Sequence, residues 1–399
     1  MLRLGSPQPR SSKNNTKLDF MIDLALKMLL GDRAKYIMLI SGLTFASLLM
    51  TEQASIFCGI MQWSGSTLDN VSAPIWVVDP MVEQVNDTDA LRDTDVNRVR
   101  SVEGVAWAAP LYSGILRARL SDGSFKFIQL IGIDATTFAG APKEITQGRF
   151  QDLRLPNTVL LDEYGVEKLT RPGAKRVGLG DVFEINDHEA RIVGICKTRM
   201  AFSGNPYAFT TYDRAVQYAP GQRKMLSCVL AAPQAGETPA AVARRITQAT
   251  GLKAYTKSEF FWVTVWWYIK NTGIPVAFGA TVLIGFIVGV AVCSQTFYSF
   301  VLENLRHLGA LKAMGASDGV LARMVMVQTL TVGLIGYGCG VGLSSLFGVI
   351  VLHKGMPPFF MPYHLPLITL AAILGICWLA ASLGIRKIRN LEPAVVFRG

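Results

Sequence analysis

The chain has 399 residues, half of them hydrophobic and 17% charged, with a formal net charge of +10 and a mean hydropathy of +0.33. That length exceeds one ordinary domain, and so apolar a composition excludes a purely soluble enzyme. The positive excess follows the loops beside apolar segments, so it is read as membrane topology and not as a nucleic-acid footprint.

In chain order, residues 1–35 come first, a basic, amphipathic segment carrying Arg3, Arg10, Lys13, Lys17, Lys27, Arg33 and Lys35. Residues 36–61 follow, apolar apart from Glu52 and Gln53 near one end, and long enough to cross a bilayer core, which takes roughly 20 helical residues. A secretory signal has a shorter apolar core and a small-residue cleavage site, so this span is expected to stay as an anchor. Glu52 reads as an ionisable site or, more simply, as a side chain snorkelling to the interface.

Residues 62–272 are soluble in character, with 24 basic and 22 acidic residues. "APIWVVD" (73–79) reads as a strand and "DTDVNRVRSVEGV" (93–105) as a helix with an aspartate start and a closing glycine. The alternating runs "VAWAAPLYSGILRARL" and "SFKFIQLIGID" flank "SDG" and predict a hairpin. Further strands ("TVLLDE", "DVFEI", "EARIVGICKT") precede "MLSCVLAA", the helix "TPAAVARRITQAT" and the strand "LKAYT". The expectation is a discontinuous βαβ-type domain with an insertion near residues 138–222. "KSEFFWVTVWWYIKN" has no glycine or proline and is expected to project as a stalk near residues 257–272. Its aromatics Phe260, Phe261, Trp262, Trp266 and Trp267 leave two readings open, an interfacial belt or a surface for a partner or substrate.

Residues 273–302 contain no charge, and neither do residues 324–352 or 365–385; each is long enough to span. Four membrane helices are therefore expected, with an α+β extracytoplasmic domain inserted between the first and second. Short loops rich in Lys and Arg stay cytoplasmic. This places residues 1–35, the 303–318 segment with Arg306 and Lys312, and the 386–399 tail on the cytoplasmic side, and the 62–272 region and the 353–364 loop outside. In "FVLENLRHLGALKAMGAS", Leu305, Leu308, Leu311 and Met314 recur every three residues. That spacing predicts an amphipathic surface helix exposing Glu303, Arg306, His307 and Lys312. It is either a linker whose charges enforce topology or a docking helix.

Gly285 with Gly289, Gly336 with Gly340, and Gly338 with Gly342 stand four apart and permit close backbone approach, within one subunit or at a dimer seam. Gln295 and Gln328 are candidates for hydrogen bonds across helices. His188, His307, His353 and His364 have no metal-ligand spacing and no C-x-x-C occurs, so no metal is expected. Cys58, Cys293, Cys339 and Cys377 fall at or in membrane helices, where small apolar packing is their expected role. Cys196 and Cys228 lie on predicted outer strands and could pair in an oxidising compartment. No nucleophile elbow or H-E-x-x-H supports a membrane-anchored hydrolase. No G-x-x-x-x-G-K-S or -T is present, so no phosphate-cradling loop is expected and ATP would be bound by another chain.

"NLRHLGALKAMGAS" resembles the signature of FtsX-like permeases, and the order of segments resembles the MacB-type ABC exporter permeases. "LALKMLLGDRAKYIMLISGLTFASLLM" and "GFIVGVAVCSQTFYSFVLENLRHLGALKAMG" are similar to the first and second helices of DevC-like permeases. The resemblance implies a homodimer in a bacterial inner membrane, with ATP and Mg on a separate ATPase subunit docked on residues 303–315, including Leu308, Leu311, Met314 and Gly315. It also implies an HlyD- or MacA-like periplasmic adaptor and a TolC-like outer-membrane channel, with nucleotide-driven motion transmitted to the outer domains to expel a substrate. Relatives with the same architecture act as FtsX signalling scaffolds that regulate a periplasmic hydrolase, or in Lol-type lipoprotein extraction. MacB carries its ATPase on the same chain, whereas about 35 residues precede the first span here.

Overall fold

The structure, a computed structural model, describes residues 33–87, 89–171, 173, 175–220, 226–354 and 357–389. The basic segment before residue 33 and the end of the tail, both expected to be cytoplasmic, lie outside the described residues. The chain divides into two compact units, an extracytoplasmic-type unit of Ile60–Gly273 and a helical unit built from the sequence on either side of it.

Helix α1 (Arg33–Ser64) leads from the helical unit into the other. There the order is α2 (Ser66–Asn70), β1 (Ile75–Val78), α3 (Asp95–Arg100), β2 (Val105–Arg119), β3 (Phe125–Ile133) and β4 (Glu144–Gly148). Next come β5 (Thr158–Asp162), α4 (Glu163–Leu169), β6 (Val182–Ile185), β7 (His188–Lys197), β8 (Tyr207–Thr211) and α5 (Tyr212–Tyr218). The unit closes with β9 (Cys228–Pro233), α6 (Pro239–Thr250), β10 (Lys253–Thr256) and α7 (Lys257–Asn271).

Two βαβ pieces, β1–α3–β2 and β9–α6–β10, interlock in the order β10-β1-β9-β2, a split βαβ arrangement. Ile75, Val77, Val229 and Ala231 meet Val242 and Ile246 of α6 in one apolar cluster, because alternate strand residues face the same side. Strand β2 is long enough to serve two sheets. Its first half pairs with β9, ending at Leu111↔Cys228, and from Tyr112↔Gly132 to Arg119↔Phe125 it pairs with β3. The predicted hairpin therefore forms, closed by Gly123 N–H donating to the Leu120 carbonyl at 2.9 Å.

From β3 the ladder passes to β8, β5, β7 and β6 and returns to β2 at Ala118↔Ile185. These six strands close into a small barrel, which removes the unpaired edges an open sheet would present. Its interior is filled by Leu116, Ile128, Leu130, Val159, Leu161, Phe183, Ile185 and Ile192. The insertion therefore runs from about residue 112 to 227, not near 138–222: the β2–β3 hairpin is part of it, and one strand crosses the boundary without a break.

The segment expected as a stalk near residues 257–272 is a helix of its own. Helix α7 stops at Asn271, and Thr272 is extended at φ −122°, ψ 155° before the next helix begins. Pro275 carries no backbone N–H and suits only the first turn of a new helix.

The helical unit contains α1, α8 (Ile274–Glu303), α9 (Leu305–Ala313), α10 (Asp318–Lys354) and α11 (His364–Arg389). Four segments, Tyr36–Ser64, Ile274–Glu303, Asp318–Leu352 and His364–Arg386, are long and apolar enough to cross a membrane. Leu39, Leu43, Phe297, Phe300, Val325, Ile373 and Ile376 form their common core. Ile287, Leu334, Leu346 and Leu367 are exposed, the arrangement expected where lipid and not water surrounds the bundle.

Candidate functional site: the charged helix between two apolar spans

Asn304 separates α8 from α9, with its side-chain amide donating to the Phe300 carbonyl at 2.9 Å. At its other end α9 stops in a Schellman motif: Ala316 N–H donates to the Leu311 carbonyl and Gly315 N–H to the Lys312 carbonyl, both at 3.0 Å. Gly315 sits at φ +98°, a left-handed conformation that is costly for a residue with a Cβ. Val320 N–H then donates to the Ser317 carbonyl at 3.0 Å, and α10 begins with an acidic residue in its first turn, Asp318, where the helix dipole favours negative charge. Lys312 reaches Asp318 at 2.9 Å, tying the last turn of α9 to the first turn of α10.

This geometry corrects part of the expected face. Leu308 is buried, and Leu305 and Leu311 pack against the bundle core, as an apolar stripe should. Met314, by contrast, is 76% exposed. A helix advances about 100° per residue, so three steps of three residues drift by roughly half a turn, and Met314 points away from Leu305. Lys312 is not displayed to solvent either, since its side chain is only 19% exposed in the ion pair. What remains outward is a face of Glu303, Arg306, His307, Ala310, Ala313 and Met314. Asp318 was missed in the sequence; its signal was the glycine stop followed by serine and aspartate.

Two of the three glycine pairs, Gly285 with Gly289 and Gly336 with Gly340, lie against other helices of this chain. A Cβ at Gly289 would meet Ala46 at 2.9 Å; at Gly336, Leu43 at 2.7 Å; and at Gly340, Ser47 at 2.6 Å. Gly285 has Leu49 at 3.5 Å, while Gly338 and Gly342 face open space. Gln295 is exposed and Gln328 buried. Cross-helix hydrogen bonds run from Thr51 to Thr369 and from Ser47 to the Tyr337 carbonyl, both at 3.3 Å, and from the Tyr337 hydroxyl to the Pro366 carbonyl at 3.1 Å.

In the sheet unit the aromatics divide. Phe260 is buried against Trp76 and Tyr255, Phe261 is partly buried, and Trp267 donates its indole N–H to Glu83 at 2.6 Å. Trp262 and Trp266 are each 55% exposed. Cys196 and Cys228 are free thiols on non-neighbouring strands, so the pairing considered from sequence is not formed. Burial raises the pKa of both. A polar cleft of about 600 Å³ lies between the βαβ half and the barrel, lined by Gln84, Asn86, Ser113, Gln129, Ser227 and Tyr268 among others.

Residues 260–393 match the family model of the FtsX-like permease C-terminal region, and residues 54–249 match the MacB-like periplasmic core domain. The chain is an FtsX- and MacB-like permease. It is 23% identical over 279 residues to the macrolide export ATP-binding/permease protein MacB of Shewanella oneidensis, covering 66% of this chain and 42% of that protein. A second MacB, from Shewanella sp. strain ANA-3, is 24% identical over 237 residues, covering 56% and 36%. The chain thus spans less than half the length of the curated relatives it matches. Among solved structures, the periplasmic region of MacB from Actinobacillus actinomycetemcomitans is 14% identical with a TM-score of 0.37, covering 51% of this permease and 95% of that chain. The extracellular domain of the noncanonic ABC-type transporter YknZ from Gram-positive bacteria is 15% identical with a TM-score of 0.34, covering 46% and 99%.

Proposed function

We propose that this permease is the membrane subunit of an ABC exporter, worked by a separate ATPase subunit that binds ATP and Mg and docks on α9. The observation that carries this reading is the outward Arg306, His307 and Met314 face on a helix clamped at both ends by Asn304, the Schellman turn and the Lys312–Asp318 pair. A rigid, charged knuckle between two long apolar helices can pass a push from a soluble partner into both of them, whereas a linker that only set topology would not need that clamp. On this reading the termini and α9 are cytoplasmic and the sheet unit is periplasmic. Two copies of the chain work as a homodimer, and a DevC-like system with an adaptor and an outer-membrane channel receives the cargo.

The test is co-purification with the candidate ATPase. Arg306→Ala and Met314→Asp, both at exposed positions, are expected to lose about 1–2 kcal/mol of docking energy each, seen as roughly tenfold lower ATPase retention. Thermal stability of the permease itself should be unchanged. Retention and ATP turnover equal to wild type in both variants would remove α9 as the docking site.

A further inference from the structure

At one end of the barrel two arginines line a pocket that holds a single acid. Strands β3 and β8 run parallel and pair up to Ile133↔Thr211, so the chain leaves both at the same end. Thr136 follows β3, Thr211 closes β8, and Asp213, Arg214 and Gln217 stand on α5; with Arg154 they line a pocket of about 540 Å³. Arg154 ends the 3-10 turn Phe150–Arg154. It donates from Nε to the Ala135 carbonyl and from Nη2 to the Thr136 carbonyl, both at 3.1 Å, and its guanidinium lies 4.8 Å from the Phe138 ring centre. Arg214 donates from Nη1 to the Leu153 carbonyl at 3.0 Å and to the Thr158 hydroxyl at 3.3 Å. Each fork is thus fixed along one edge by neutral dipoles that leave its charge uncancelled. Among the described residues neither arginine forms an ion pair, and Arg154 Nη1, Arg214 Nε and Arg214 Nη2 have no acceptor. The acids nearby are engaged elsewhere, Asp152 with Arg149 at 3.8 Å and Asp134 with the Thr137 N–H and hydroxyl at 2.7 Å. Arg214 is half-buried, and that burial lowers its pKa. Thr211 is only 5% exposed, yet its hydroxyl caps nothing.

We propose that this pocket binds the phosphoryl group of a phosphate ester, with the free edges of Arg154 and Arg214 and the Thr211 hydroxyl donating to its oxygens. Planar guanidinium forks match the oxygens of an oxyanion and hold them bidentately. A carboxylate offers its oxygens in one plane, whereas a terminal phosphoryl group spreads them tetrahedrally, which suits donors arriving from three separate elements. The charges agree as well. Two guanidiniums against Asp213 leave the pocket net positive, and a phosphate monoester carries about −1.5 to −2 near neutral pH. Pockets of roughly 300–1,000 Å³ hold small organic molecules, so the volume has room for the body of an ester beyond its phosphate. A soluble ester and a phospholipid headgroup present the same group. The site belongs to the barrel alone and stands or falls separately from ATPase docking on α9.

The experiment is calorimetric titration of the full chain in a neutral detergent. The probes are glycerol phosphate for the soluble ester, dihexanoylphosphatidic acid for the headgroup, and glycerol as the uncharged control. Wild type is expected to bind at least one phosphate probe saturably, with a Kd below about 1 mM, and not glycerol. Gln217→Glu, at an exposed position, places a second carboxylate in the pocket and should weaken binding about tenfold. Asp213→Asn, also exposed, removes the only acid and should tighten it about threefold. Both variants should keep the wild-type thermal midpoint without ligand, which separates lost binding from lost folding. Tighter binding of the lipid probe assigns the site to headgroups, and equal or tighter binding of glycerol phosphate assigns it to soluble esters; each supports the proposal. No saturable binding of either probe overturns it. Binding that both variants leave unchanged overturns it equally, since that is diffuse attraction to a chain of net charge +10.

Discussion

The helical unit and the sheet unit bury polar atoms and bring backbones together by different means. In the helical unit the buried polar groups are uncharged: hydroxyls such as Thr296 and Thr329, which donate to the Val292 and Val325 carbonyls of their own helices, Thr51, which donates to Thr369 of a neighbouring helix, and the amide of Gln328. Its Gly289, Gly336 and Gly340 are helical and act by lacking a side chain where helices cross. The sheet unit buries carboxylates: Asp95 is held by Arg98 at 2.7 Å, and Asp162 by Gly165 N–H and the Thr198 hydroxyl. Its Gly148, at φ +82°, turns the chain where β4 meets β7, with the Val193 carbonyl closing on the space a Cβ would take. The difference follows from the surroundings. A sheet can deliver several N–H and O–H groups to one charge, while a bundle in lipid offers few free donors, so buried polarity there stays uncharged.

The largest expected effect tests the packing side of that contrast. At Gly340 a Cβ meets Ser47 at 2.6 Å and the Thr44 carbonyl at 2.7 Å, whereas at Gly338, half a turn away on the same helix, nothing lies within 4 Å. Gly340→Leu should cost about 3 kcal/mol or more of bundle stability by overpacking, read as a lower thermal midpoint in detergent. Gly338→Leu should leave the midpoint near wild type. Equal losses at both positions would mean that the open face of α10 is itself packed, as at a seam between two copies.

The four spans and the place of the sheet unit between them were legible in the sequence, because a bilayer core forces long charge-free runs. So were the β2–β3 hairpin around "SDG" and the strands on either side of it. Barrel closure was not: the short strand β6 pairs with both β2 and β7, a non-local event with no periodicity of its own. Half of the α9 face was legible, through Arg306, His307 and Leu308. Met314 was misplaced because a repeat of three was treated as a helical period of 3.6, and Lys312 because its acid, Asp318, lies beyond a glycine turn. The end of α7 had a signal in Gly273 and Pro275 that the aromatic run before it outweighed.

A smaller effect probes the buried carboxylate. Burial is the main cause that pushes Asp162 up from its ordinary 3.8 to about 6, opposed by its hydrogen bonds from the Tyr207 backbone, Thr198 and Gly165. Native Asp162 therefore keeps its proton over a range where the unfolded chain has released it. The native state binds more protons between pH 4 and 6, so this residue's contribution to stability is full below about pH 4 and falls as pH rises through 6. The loss is on the order of 3 kcal/mol. Asp162→Asn keeps an acceptor for Gly165 and should flatten that part of the curve when thermal midpoints of the full chain are compared from pH 4 to 7. An unchanged slope would assign the pH dependence to other groups, and the buried charge would cease to distinguish the sheet unit.

The smallest effect separates two sources of order in α7, the element that ends the sheet unit. Thr256 and Glu259 form a reciprocal capping box, with Thr256 Oγ1 accepting from Glu259 N–H at 3.2 Å and the Glu259 carboxylate accepting from Thr256 N–H at 2.9 Å. Because Thr272 interrupts the backbone, α7 cannot inherit helical order from α8 and must be started by its own cap and by Phe260 packing on Trp76. Thr256→Ala should therefore cost about 1 kcal/mol, visible as faster amide exchange over the first turns of α7 with the amides of α8 unaffected. If exchange in α7 were indifferent to the cap, or rose together with exchange in α8, the two helices would be one cooperative element, and the division between the units would lie before Lys257 and not at Thr272.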